Sequence, residues 1–412
     1  MSDSNIKLRF LGGASEVGAL SMVMQYRDTS LIFDHGMLPA EPPEYPMRPP
    51  IVDVALLTHS HLDHCGMMPS LIRMNDIGIL ATHPTVEVSE LLLYDSLKIA
   101  DIEGYPKHFD KIDIKNTKAA FDLVGFNSKR DIGGLEIEAH SAGHIPGSTM
   151  YEMRGEETTL FTGDINTMNN RLMWGAHPVK CDNLIMETTY GGEDHPDRLE
   201  TEKEFLDKID ETLDKGGQAI VPVFAVGRTQ EILMVLNDND YDVWYDGMGR
   251  TVGRIYQNHE GFIRSHSALK NAMNSANEVR SHSSRKKAMD AEVVVSTSGM
   301  IEGGPVLNYI IDKRKDPNTS IMMTGYQVPG TNGERLLEHG MIRDKGATIP
   351  VECNVERYDF SAHAGHSELI DFAKGCDPEK IVLMHGDNRE IVAEDLSEFD
   401  VYMPIEGEEI EL

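Results

Sequence analysis

Between Leu56 and Gly66 the sequence reads LLTHSHLDHCG, which crowds His59, His61, Asp63 and His64 into six residues directly after an apolar run. Extended backbone alternates its side chains, so His59 and His61 face one side, and Asp63 and His64 follow where the chain turns into a helix. Four nitrogen and oxygen donors this close exceed the three protein ligands that a catalytic zinc typically takes. They point to two metal ions sharing one cluster, against the bland reading of surface histidines on a turn. The remaining ligands must then come from other strand ends. His144 in EAHSAGHIPGS, Asp164 closing TLFTGD and His385 in KIVLMHG each follow an apolar run and have a glycine close by, as residues at a sheet rim do. Each alone would pass for a hydrogen-bonded rim residue; together they complete two coordination spheres.

The elements that position them read as alternating strands and helices. Apolar runs predict strands at Ile6–Leu11, Met22–Gln25, Ser30–Phe33, Val52–Thr58, Leu135–His140, Thr159–Thr162, Asn183–Met186, Ile220–Val223, Val293–Thr297, Ile321–Thr324 and Ile381–Met384. Amphipathic segments predict helices at Cys65–Met74, Thr85–Ile102, Arg198–Leu213, Thr229–Asn237 and His366–Ala373. The alternation implies an α/β architecture, and 412 residues suggest more than one domain. No repeat or low-complexity tract is present. No run approaches the ~20 apolar residues of a membrane span, so a cytoplasmic protein with no membrane partner is expected. Cys65, Cys181, Cys353 and Cys376 lie far apart without a CxxC pair and read as free thiols.

Acidic residues outnumber basic ones by 68 to 38, a net charge of −30. That balance argues against casual adhesion to membranes or nucleic acid. Arg250–Lys287 runs the other way, with eight basic and two acidic residues in 38. It reads either as a solvated helical face or as an electrostatic footprint for phosphate, with Arg285, Lys286 and Lys287 its densest part.

His59-x-His61-x-Asp63-His64 with His144, Asp164 and His385 resembles the metallo-β-lactamase superfamily, and Asp34 in LIFDHG matches its first motif, an aspartate that supports the metal loop. Further motifs narrow the resemblance: Glu187 in METTYGG, His363 in FSAHAGH and His385 in LMHGD are similar to the three additional motifs of the β-CASP group, its nucleic-acid-processing branch. About 175 residues separate Glu187 from His363, too many for a loop in a compact domain, so an inserted domain is expected. GGQAIVPVFAVGRTQEIL, VSTSGMIEGGP and TGYQVPGTNGERLL resemble β-CASP signatures. THSHLDHCG resembles the nuclease subunit of the cleavage and polyadenylation specificity factor more than ribonuclease J, and the chain resembles the short archaeal form of that factor, without preceding KH domains.

The resemblance implies an αββα sandwich over residues 1–190 and 355–412, interrupted by an α/β β-CASP domain over 191–354. It implies two Zn2+ per chain: His59, His61 and His144 on one, Asp63, His64 and His385 on the other, Asp164 bridging. It also implies hydrolysis of single-stranded RNA with Glu187 orienting His363 as a general acid, by endonucleolytic or 5′-to-3′ exonucleolytic cleavage, and a homodimer as the family often forms. In the inserted domain Arg228, Ser298 and Gly299 are candidate phosphate contacts, against an internal salt bridge and a tight turn as the plain readings. Two other functions compete: a small-molecule hydrolase of lactamase or glyoxalase type, which would not need the insertion, and a non-catalytic RNA-binding subunit, which would lack metal ligands.

Overall fold

A computed structural model describes residues 6–412. The chain divides into two compact units. The first comprises Met1–Asn169, Trp174–Asp194 and Ala362–Leu412. It contains two seven-stranded sheets. In the first sheet, Ile6–Gly12 buries Ile6, Leu8 and Phe10 and exposes Lys7 and Arg9, the alternation of a strand with one face in a core. Leu8, Phe10, Phe33 and Leu56 of this sheet pack in one cluster with Tyr151, Phe161, Ile185 and Val382 of the other. The rings of Phe33 and Phe161 lie 4.6 Å apart. Burying each such side chain contributes roughly 1.5–3 kcal/mol. The outer faces are covered by helices. Met68, Leu71 and Val86 pack on Ala55 and Ile79 of the first sheet, and Leu369, Phe372 and Val392 on Leu184 and Leu383 of the second. The unit is therefore an αββα sandwich.

The second sheet fixes the site. Thr158–Phe161, Asn183–Glu187 and Lys380–Met384 are parallel neighbours. Leu135–Ser141 shares their direction, being two antiparallel steps removed through Thr149–Arg154. All four strands thus end at one edge, and there the chain presents His144, Asp164, Glu187 and His385. Val54–Leu56 of the first sheet leads into the histidine motif. One predicted helix is corrected: Cys65–Met74 is instead Leu62–Cys65 and Met68–Met74, separated at Gly66 and Met67 with Pro69 opening the second. Asp63 and His64 therefore sit inside a one-turn helix.

The second unit comprises Asn170–Met173 and His195–Ser361. Its all-parallel sheet runs, in spatial order, Asn277–Glu278, Val243–Asp246, Val293–Ser296, Ala219–Pro222, Ser320–Met323 and Asn354–Arg357. The fully buried runs AIVP, VVVS and SIMM suit strands covered on both faces. The unit ends beyond residue 354, where the sequence reading divided the chain, because Asn354–Arg357 pairs with Ser320–Met323 as its edge strand. All four cysteines are buried free thiols.

Candidate metal centre

Two groups of side chains converge in the first unit: His59, His61, His144 and Asp164, and Asp63, His64 and His385. His59 Nε2 and His144 Nε2 each lie 3.1 Å from His61 Nδ1. Asp164 faces both groups. Its Oδ2 is 3.5 Å from His59 Nε2 and 3.7 Å from His144 Nε2, while its Oδ1 is 3.2 Å from His64 Nε2 and 3.8 Å from His385 Nε2. Asp63 Oδ2 is 3.8 Å from His64 Nε2 and 3.7 Å from His385 Nε2.

The polar accounting tests whether these residues suit a metal. His64 Nε2, His385 Nε2 and Asp164 Oδ1 are buried and have no hydrogen-bond partner. Buried polar atoms without partners are costly, and these three point at one another in a manner that a cation would satisfy. The far ring nitrogens of His64 and His144 are already committed. Asp34 accepts from His64 Nδ1 at 2.8 Å and from the Thr58 amide and hydroxyl at 2.8 and 2.7 Å, so His64 keeps its Nε2 lone pair for coordination. The Ala362 carbonyl does the same for His144, accepting from Nδ1 at 2.8 Å. Burial pushes His59 and His144 well below the usual histidine range, which favours the neutral, ligating form. His64 is displaced upward because Asp164, Asp63 and Asp34 outweigh its burial. Close packing holds the loops in place: a Cβ on Gly36 would fall 1.6 Å from the Asp63 carbonyl oxygen, and Gly163, which turns the chain into Asp164 at φ +55°, abuts Thr58.

A second pair adjoins the cluster. Glu187, fully buried, accepts from His363 Nδ1 at 3.1 and 3.2 Å and from the Ile165 amide at 2.6 Å. His363 Nε2 is 3.9 Å from Asp164 Oδ2. Burial alone would lower the pKa of His363, but the carboxylates of Glu187, Asp164 and Asp63 raise it to about 9. One positioning residue escaped the sequence reading: Glu406 accepts from the amides of Ala14 and Ser15, in the loop whose Gly13 and Ala14 carbonyls accept the His385 amide.

The chain matches the Metallo-beta-lactamase superfamily domain over residues 43–188, the Beta-Casp domain over 229–336 and the Zn-dependent metallo-hydrolase RNA specificity domain over 348–404. It is 34% identical over 430 residues, 99% of this chain and 100% of the other, to a Methanocaldococcus jannaschii protein named "Probable RNase MJ4". The chain belongs to the β-CASP group of the metallo-β-lactamase superfamily. A second relative, the RNase aCSPSF2 of Saccharolobus solfataricus, is 32% identical across 100% of this chain and 86% of its own. A solved structure of a protein of unknown function from Enterococcus faecalis V583 shares the fold alone, with a TM-score of 0.61 over 99% of this chain and 100% of that one at 13% identity.

The phosphate candidates of the β-CASP unit fare differently. Arg228, offered to phosphate in the sequence reading, is 7% exposed and paired with Glu231 at 2.5 Å, over the ring of Phe360 at 6.0 Å. Glu231 is shared with Arg198, so two guanidinium groups meet one carboxylate there. Ser298 is half-buried and Gly299 is buried against Phe224. Arg285 binds Asp246 at 2.7 and 3.2 Å, and Lys286 and Lys287 are exposed in the last turn of His282–Ala288. Among the described residues no helix is long and apolar enough to cross a membrane.

Proposed function

We propose that this β-CASP protein is a two-zinc ribonuclease that cleaves single-stranded RNA endonucleolytically. The observation that carries the reading is Asp164, whose two oxygens address two separate sets of donors, with the His363–Glu187 pair beside it. His59, His61 and His144 would hold one ion, Asp63, His64 and His385 the other, and Asp164 both. When bound, the ions supply charge neutralisation for a phosphodiester and lower the pKa of a water. The remaining chemistry belongs to the chain. Hydrolysis adds water at phosphorus and breaks the bond to the 3′-oxygen, which departs as a strong base and needs a proton. His363 Nε2 donates it, and Glu187, on Nδ1, keeps the ring oriented and stabilises its protonated form. The products are a 3′-hydroxyl and a 5′-phosphate. The names of both relatives as RNases support an RNA substrate, and the intact ligand set weighs against a non-catalytic subunit.

The test is cleavage of a 5′-labelled single-stranded RNA with and without chelator. Internal products that vanish with chelator are expected. Release of mononucleotides from the 5′ end would replace the endonuclease with an exonuclease, and hydrolysis of thioesters or lactams but not RNA would overturn the reading.

A further inference from the structure

The basic stretch 250–287 does not act as one patch. Arg285 is drawn inward by Asp246, which also accepts from the Tyr309 hydroxyl at 2.9 Å. Three other arginines gather on a single carboxylate. Glu278 pairs with Arg280 at 2.7 Å, with Arg254, and with Arg250 at 3.6 Å. The Glu278 side chain is only 8% exposed, whereas those of Arg254 and Arg280 are 56% and 74% exposed. One negative charge therefore sits beneath three positive ones, and two of the three guanidinium groups reach solvent. They line a cleft of about 470 Å³ together with Tyr245, Gln257, Asn274 and Asn277. Glu278 is the one carboxylate lining it among the described residues. Guanidinium forks match phosphate oxygens in geometry as well as charge, and the volume suits a ligand of nucleotide size.

We propose that this cleft, built wholly from the inserted unit, is an accessory site for the phosphates of single-stranded RNA. The inference rests on the RNA substrate proposed above. A net excess of two arginine charges in a protein of net charge −30 gives a polyanion a local foothold that the rest of the surface opposes. Arg254 and Arg280 bind the phosphates, Asn274 offers its amide to the sugar or base, and Glu278 holds the guanidinium groups in place while partly masking them.

The test is fluorescence anisotropy of the zinc-loaded protein with a hydrolysis-resistant phosphorothioate RNA of 30 nucleotides, over a range of KCl. Arg254→Gln with Arg280→Gln should weaken binding about tenfold and flatten the log–log salt dependence by roughly 1.4, at about 0.7 for each phosphate no longer neutralised. An unchanged slope overturns the proposal, whatever the affinity. Glu278→Gln removes the masking charge with little change of shape and should tighten binding; unchanged or weaker binding also overturns it. A free phosphate ligand is the rival source of the same chemistry. If UMP or inorganic phosphate displaces the RNA where KCl of equal ionic strength does not, the cleft is a small-molecule site and the RNA assignment falls. Failure of the nuclease reading would show separately, as intact binding by an unsubstituted protein that cleaves no RNA.

Discussion

In the first unit Asp164 is 2% exposed and one of its oxygens accepts no hydrogen bond, although five histidines surround it. In the inserted unit Asp246 is buried just as deeply, yet Arg285, Tyr309 and the Gly247 amide all donate to it. Both carboxylates lie beyond strand ends or at them, and both would be expensive to bury alone. The difference teaches where to look for chemistry: a satisfied buried charge holds a fold together, and an unsatisfied one among ligating side chains is kept for something that binds. The following predictions press on that contrast, beginning with the largest effect.

Asp164→Ala should abolish RNA cleavage and lower the bound zinc measured by atomic absorption, because both sets of donors lose their shared oxygen ligand. The variant should still melt cooperatively. Full activity in this variant would remove the bridging assignment.

His363→Ala should keep its zinc and lose about 10²–10⁴-fold in rate, the usual worth of a positioned acid. A substrate with sulfur in place of the scissile 3′-oxygen needs no proton on departure, so the variant should recover much of the deficit there. The sign of the pH dependence follows from the same pair. Glu187 and its neighbours raise His363 to about 9, so the acid is protonated at neutral pH and activity should fall as pH rises through its pKa. Zinc held by Asp164 and Asp63 would offset part of their upward pull on His363, so the limb is expected on the acid side of that value. Glu187→Gln removes an upward influence and should move the limb further toward acid, as a pH–rate profile would show.

Arg285→Ala tests the satisfied side of the comparison. It leaves a carboxylate that is 1% exposed with its charge unpaired, held only by Tyr309 and the Gly247 amide, and should cost roughly 2 kcal/mol in urea unfolding, less than for a dry ion pair because Arg285 itself is 37% exposed. Zinc content should not change. Asp34→Asn should do the reverse, weakening zinc affinity about 10–100-fold by freeing the His64 ring with the smaller effect on overall stability, read by chelator competition.

These contrasts were only partly legible in the sequence. The convergence of the seven donors was, because four of them are neighbours in sequence and the others each follow an apolar run, so the strand pattern and the residue types agreed. His363 and Glu187 needed the family resemblance, since nothing local marks either one. The carbonyl of Ala362 behind His144 could not be read, because every residue carries one. Nor could Glu406, which reaches a loop 392 residues away. The basic stretch was legible as a charge excess but not as pairs. Arg285 finds its partner 39 positions upstream while Arg254 and Arg280 converge on Glu278, and charge counts carry no information about such pairing. The helix Cys65–Met74 failed for a local reason: periodicity continued across Gly66 and Met67 although the backbone did not.

The central claim is that the two sets of donors around Asp164 hold two ions and that both are needed for cleavage. Titrating zinc into chelator-stripped protein while following both bound metal and cleavage of a 5′-labelled RNA tests it most directly. The account predicts saturation at two zinc ions per chain, with cleavage rising as the second site fills and internal products ending in a 3′-hydroxyl. Saturation at one ion with full cleavage, or two bound ions with no cleavage of RNA, would contradict it.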